Sequence, residues 1–105
     1  MSTEVRVVLC TVPSRDIADR LARTLLEEKL VACVNVLPSV RAIYRWQGAI
    51  EEADELLLVL KTARDRSEAL EARIRALHPY DVPEVLGLDA AASAPYLAWV
   101  VAETR

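Results

Sequence analysis

Residues 40–62 read VRAIYRWQGAIEEADELLLVLKT, and this stretch decides the fold. Positions 40–46 alternate apolar and polar residues, Gln47-Gly48 supplies a turn, and 49–62 resume as a long strand. The pattern predicts a long β-hairpin with its tip near Gly48. The returning strand is strongest at Leu56-Leu57-Leu58-Val59-Leu60, which is apolar at every position. Side chains alternate sides along a strand, so this run is apolar on both faces of its sheet.

Working outward, 30–37 (LVACVNVL) is β-prone and is followed by Pro38, which interrupts sheet hydrogen bonding. Residues 4–11 (EVRVVLCT) read as a short first strand, broken by Val12-Pro13-Ser14. Ser14 is a good N-cap, Asp16 suits the first turn of a helix, and Ile17, Ala18, Leu21, Ala22, Leu25 and Leu26 recur at helical spacing. A helix is predicted over 15–28. On the far side of the hairpin, Asp65 and Glu68 have capping-box spacing, and Ala69, Leu70, Arg73, Ile74 and Leu77 form a second helix that Pro79 ends. Residues 85–88 read as a fourth strand. Ser93, Pro95 and the run Leu97-Ala98-Val100-Val101 give a C-terminal helix.

The order β-α-β-β-α-β-α is that of an α+β, ferredoxin-like sandwich with an antiparallel sheet and an added C-terminal helix. Its helices cover one sheet face, yet LLLVL and VVLC are apolar on both. Strands of that kind belong to sheets buried on both sides. An oligomer packed through the second face is therefore expected, with the long hairpin reaching into a neighbour.

Composition agrees. The chain has 105 residues, enough for a single domain over 1–105 with a real core. Hydrophobic residues make up 53%, above the ~45–50% of ordinary soluble domains, which suggests surface buried between subunits. Thirteen basic and sixteen acidic residues are interleaved for a net charge of −3, so a nucleic-acid partner is not expected. No apolar run approaches the ~20 residues that span a bilayer, and MSTEVRVV lacks the features of a signal peptide. A cytoplasmic protein without membrane contact is expected, with its two cysteines as thiols.

Few residues carry chemistry. His78 is the only histidine. At a helix C-terminus it reads either as a dipole-favoured cap or as a metal ligand. Cys10, at the end of an apolar strand, reads either as a small hydrophobe or as a ligand, and Cys33 reads as core. No nucleophile elbow, phosphate loop or dinucleotide fingerprint occurs, and a Cys10–His78 pair lacks a third, orienting group, so no enzyme is expected. Glu51, Glu52, Asp54 and Glu55 read as a solvated strand edge, with divalent-cation binding as the sharper alternative. Asp81 and Glu84 flank Pro83. Tyr44, Trp46 and Tyr80 are accounted for by hairpin and interface packing.

VLCTVP at 8–13, EEKLVACVNVLP at 27–38, IYRWQG at 43–48, LVLKT at 58–62, HPYDVPE at 78–84 and YLAWV at 96–100 together resemble the CutA, or divalent-cation tolerance, family, in its order and spacing. The resemblance implies a ferredoxin-like homotrimer with strands extended across subunits. It also implies binding of copper and other divalent metals, and a part in metal tolerance. The family's copper site is placed on a cysteine ending the first strand and a histidine pair before Pro-Tyr. Cys10 and His78 match two of these positions. Leu77 stands at the third and cannot coordinate, which implies a weaker, less selective site completed by water or a carboxylate. The family trimer also resembles the PII signalling architecture, which gives an alternative: a signalling trimer binding a small molecule or partner protein in its intersubunit clefts.

Overall fold

The hairpin is the longest feature of the fold. It joins β2 (Cys33–Trp46) to β3 (Ala49–Ala63) in a computed structural model that describes residues 2–105. Trp46 pairs with Ala49, so Gln47 and Gly48 alone make the turn, with φ of 48° and 82°. Both lie in the left-handed region that a two-residue turn needs to match strand twist. Pro38 interrupts the ladder of this arm, as expected. The pairing register shifts between Leu37 and Val40, and Ser39 takes a φ of 62°. This bulge takes Pro38 out of the ladder, and β2 continues past it as one strand.

Around the hairpin stand β1 (Ser2–Val12), α1 (Arg15–Glu27), α2 (Ser67–Leu77), β4 (Leu86–Ala92) and α3 (Ala94–Glu103). The sheet order is β2-β3-β1-β4 with antiparallel pairing, the ferredoxin-like arrangement. Ser14 caps α1, its Oγ accepting from the Ile17 N–H at 3.2 Å, and Ser93 caps α3 through the Tyr96 N–H at 3.4 Å. The expected Asp65 capping box does not form. A 3-10 turn at Arg64–Arg66 delays α2, whose N-cap is Arg66, and Asp65 pairs instead with Arg105 at 3.0 Å. Pro79 ends α2 by pushing His78 into an extended conformation, with ψ 140°.

The sheet has two unlike faces. On the first, Val8, Cys10 and Val12 of β1 and Leu58 and Leu60 of β3 pack against Leu21 and Leu25 of α1 and Leu70 and Ile74 of α2. On the second, Val5, Ala63 and Ala92 meet Val100 of α3, which covers only one end. The middle of that face is open. Leu37, Leu86 and Leu88 are 42%, 54% and 52% exposed, beside half-buried Val7, Leu9, Leu57 and Val59. The alternation on β1 and β3 thus has its physical counterpart in a sheet with helices on one face and an apolar strip on the other.

Candidate functional site

Beyond the open strip, at the end of the second face opposite α3, lies a cleft of about 390 Å³. Its floor is Thr11 of β1 and Glu55 of β3, the hairpin supplies Ala42, Tyr44 and Trp46, and the loop after α2 supplies Tyr80, Asp81, Val82 and Glu84. Strand pairing explains the convergence. Val40 sits opposite Glu55 and Thr11 opposite Leu57, so alternate residues of three strands rise on one side. Three carboxylates line the cleft, and none of its lining residues is basic.

The loop wall is pinned by hydrogen bonds. The His78 ring contacts the Thr11 carbonyl oxygen through Nε2 at 2.8 Å, and the Tyr80 N–H donates to Nδ1 at 3.1 Å. A carbonyl only accepts and an amide N–H only donates. The ring therefore carries its proton on Nε2, leaves Nδ1 bare and is neutral. The Tyr80 ring lies 4.6 Å from the imidazole, centroid to centroid, and its phenol donates to Glu55 Oε2 at 2.7 Å. Burial first, then the hydrogen bond and negative charge of Glu55, push the Tyr80 phenol above its ordinary range. Glu55 itself is only 7% exposed. It departs from the solvated edge expected for residues 51–55: Glu51, Glu52 and Asp54 are exposed, whereas Glu55 is drawn under the loop.

Cys10 is fully buried and faces the α1–α2 core, one residue before Thr11, which lines the cleft. Its Sγ lies 3.7 Å from the Thr11 carbonyl oxygen. Burial, reinforced by the negative charges of Glu84 and Glu55, pushes the thiol up to about 12. Cys10 and His78 are thus brought together, each donating a proton to one oxygen. Copper takes a thiolate and an imidazole nitrogen with a free lone pair. As placed, these two residues offer neither, so they do not fit the ion. Leu77 lines a different depression, with Ile17, Leu21 and Thr24 of α1. Among the described residues, no three His, Cys, Asp or Glu side chains converge as a ready metal cage. Cys33, expected in the core, is half-buried near Asn35, with Sγ 3.9 Å from Oδ1.

Sequence reasoning named Glu55, Asp81 and Glu84 but did not join them. What joins them is tertiary: Glu55 meets Tyr80 across 25 positions, a pairing with no plain signal in the residues.

Residues 6–103 match the family described as CutA1 divalent ion tolerance protein. The divalent-cation tolerance protein CutA of Thermus thermophilus is 48% identical over 95 residues, 90% of this chain and 92% of that protein. A chloroplastic CutA protein of Arabidopsis thaliana is 41% identical over 100 residues, 94% of this chain and 55% of that protein. The solved structure of the divalent cation tolerance protein from Thermus thermophilus superposes with a TM-score of 0.91 at 46% identity, covering 96% of this chain and 99% of that one. No described helix is long and apolar enough to cross a membrane. The cytoplasmic expectation rests on sequence alone, since one relative is named as chloroplastic.

Proposed function

The chain belongs to the CutA1 divalent ion tolerance family, and from that premise we propose that it binds divalent cations, without catalysis, as a homotrimer serving the response to metal ions. The observation that carries this reading is the cleft lined by Glu55, Asp81 and Glu84 with no basic residue among its lining. The carboxylates are spread rather than gathered into a cage. Such a lining suits a partly hydrated divalent cation held by one or two carboxylates and water. For oxygen ligands the divalent affinity order still puts Cu(II) first, so copper remains the foremost ion, through carboxylates.

Assembly is supported by the open strip of Leu37, Leu86 and Leu88, continuous with half-buried Leu9 and Leu57. A second copy presents the same apolar chemistry, and the resemblance sets the number of copies at three. The family match supports this reading over the signalling-trimer alternative.

Titration with Mn(II) and Cu(II) tests the cation site. Wild type should bind saturably, and the double variant Asp81→Asn, Glu84→Gln should bind at least tenfold more weakly. Both residues are exposed, so folding should survive. Equal affinity in the two proteins would move the cation elsewhere.

A further inference from the structure

The resemblance points to His78 as a metal ligand, and the geometry points to a different task. We infer that His78 is a tautomer-locked latch tying the end of β1 to the cleft loop, and that it does not ligate metal in this chain. Both ring nitrogens are already committed to the backbone, Nε2 to the Thr11 carbonyl and Nδ1 to the Tyr80 N–H. The His78 backbone N–H also closes α2 on the Ile74 carbonyl at 2.9 Å. One residue thus joins the last turn of α2, the last residues of β1 and the loop that walls the cleft. Pro79 makes this local geometry possible: it holds His78 extended, and the chain turns so that Tyr80 donates back to the ring two residues before it.

A metal on Nδ1 must displace the Tyr80 N–H. A metal on Nε2 must displace the ring proton and take that donor from the Thr11 carbonyl. Neither change comes with help from the neighbours. Leu77 turns toward α1, and the buried Cys10 thiol spends its own proton on the same Thr11 oxygen. The latch instead serves the cleft, because it presents Tyr80 to Glu55 across the loop. Its hydrogen bonds involve no side-chain oxygen of Asp81 or Glu84, so it stands apart from those two carboxylates of the proposed cation site.

A single histidine makes the test unambiguous, since every imidazole signal of the 15N-labelled protein is His78. Long-range 1H–15N spectra at pH 7.5 should show the neutral form protonated on Nε2. Equimolar Zn(II), and separately Cu(I), should leave that pattern unchanged. A proton on Nδ1, or a metal-induced shift of either ring nitrogen, would overturn the inference. His78→Gln retains a donor toward Thr11 and His78→Asn an acceptor toward Tyr80. Where these variants fold, their Zn(II) affinity should stay within threefold of wild type, and a tenfold loss in both would make His78 a ligand. Where they do not fold, the wild-type spectra decide alone. Failure of wild type to bind any cation would sink the cleft reading and leave the tautomer result standing.

Discussion

Cys10 and His78 share one acceptor: the Thr11 carbonyl oxygen lies 3.7 Å from the cysteine sulfur and 2.8 Å from the histidine Nε2. Cys10 reaches it from the core, and His78 from the end of α2 where the cleft loop begins. Together they fix where β1 stops and the cleft begins. The consequences of that arrangement can be measured.

Tyr80→Phe deletes the donor to Glu55, a carboxylate that is 7% exposed. Leaving a buried acceptor without its partner costs about 1–3 kcal/mol. Urea denaturation at pH 7.5 should show that loss with an unchanged m-value. A variant as stable as wild type would mean that water replaces the phenol at no cost.

The Cys10 thiol gives stability an alkaline limit. In the fold it keeps its proton up to about 12, whereas an unfolded cysteine loses it near ~8.5. Between those values the unfolded state binds fewer protons, so stability falls as pH rises. The raised Tyr80 phenol adds to the fall in the same sense at higher pH. Denaturation curves at pH 7.5, 8.5 and 9.5 should therefore weaken progressively for wild type and less steeply for Cys10→Ala. Parallel pH profiles for the two proteins would contradict the assignment.

Arg73 grips Glu28 with two hydrogen bonds of 2.8 Å and ties α2 to α1 at the surface. The bond from Arg73 lowers the Glu28 pKa, so its contribution is present above the ordinary carboxylate range and fades as pH falls through the lowered value. Both groups are exposed, and salt screens such pairs. Arg73→Ala should lower the Tm slightly at low ionic strength and not at all in 1 M NaCl. A Tm difference that persists in high salt would show a packing role for the Arg73 stem.

Most of the fold was legible because its determinants are local. Ser14 and Ser93 cap helices three residues away, Pro79 acts on its neighbour, and Gln47-Gly48 turns the chain by itself. Pro38 breaks the β2 ladder as its residue type dictates, by way of a bulge. Asp65 was misread because its partner is distant: it pairs with Arg105, 40 positions on, rather than capping α2. The candidate site was less legible because its contacts are distant in sequence. His78 meets Thr11 across 67 positions, and Tyr80 meets Glu55 across 25. Residue type alone leaves His78 open as cap or ligand and Cys10 open as core thiol or ligand. Only their partners reveal that both protons are already in use.

What covers the second sheet face is the most direct test of the whole account. The strip of Leu37, Leu86 and Leu88 is too apolar to be left in water, and the account closes it with copies of the same chain. Sedimentation velocity at submicromolar concentration should give a single species of three chains, and Leu88→Glu, placed in the strip, should break it into smaller, less stable particles. A compact wild-type monomer with native circular dichroism at that concentration would contradict the account.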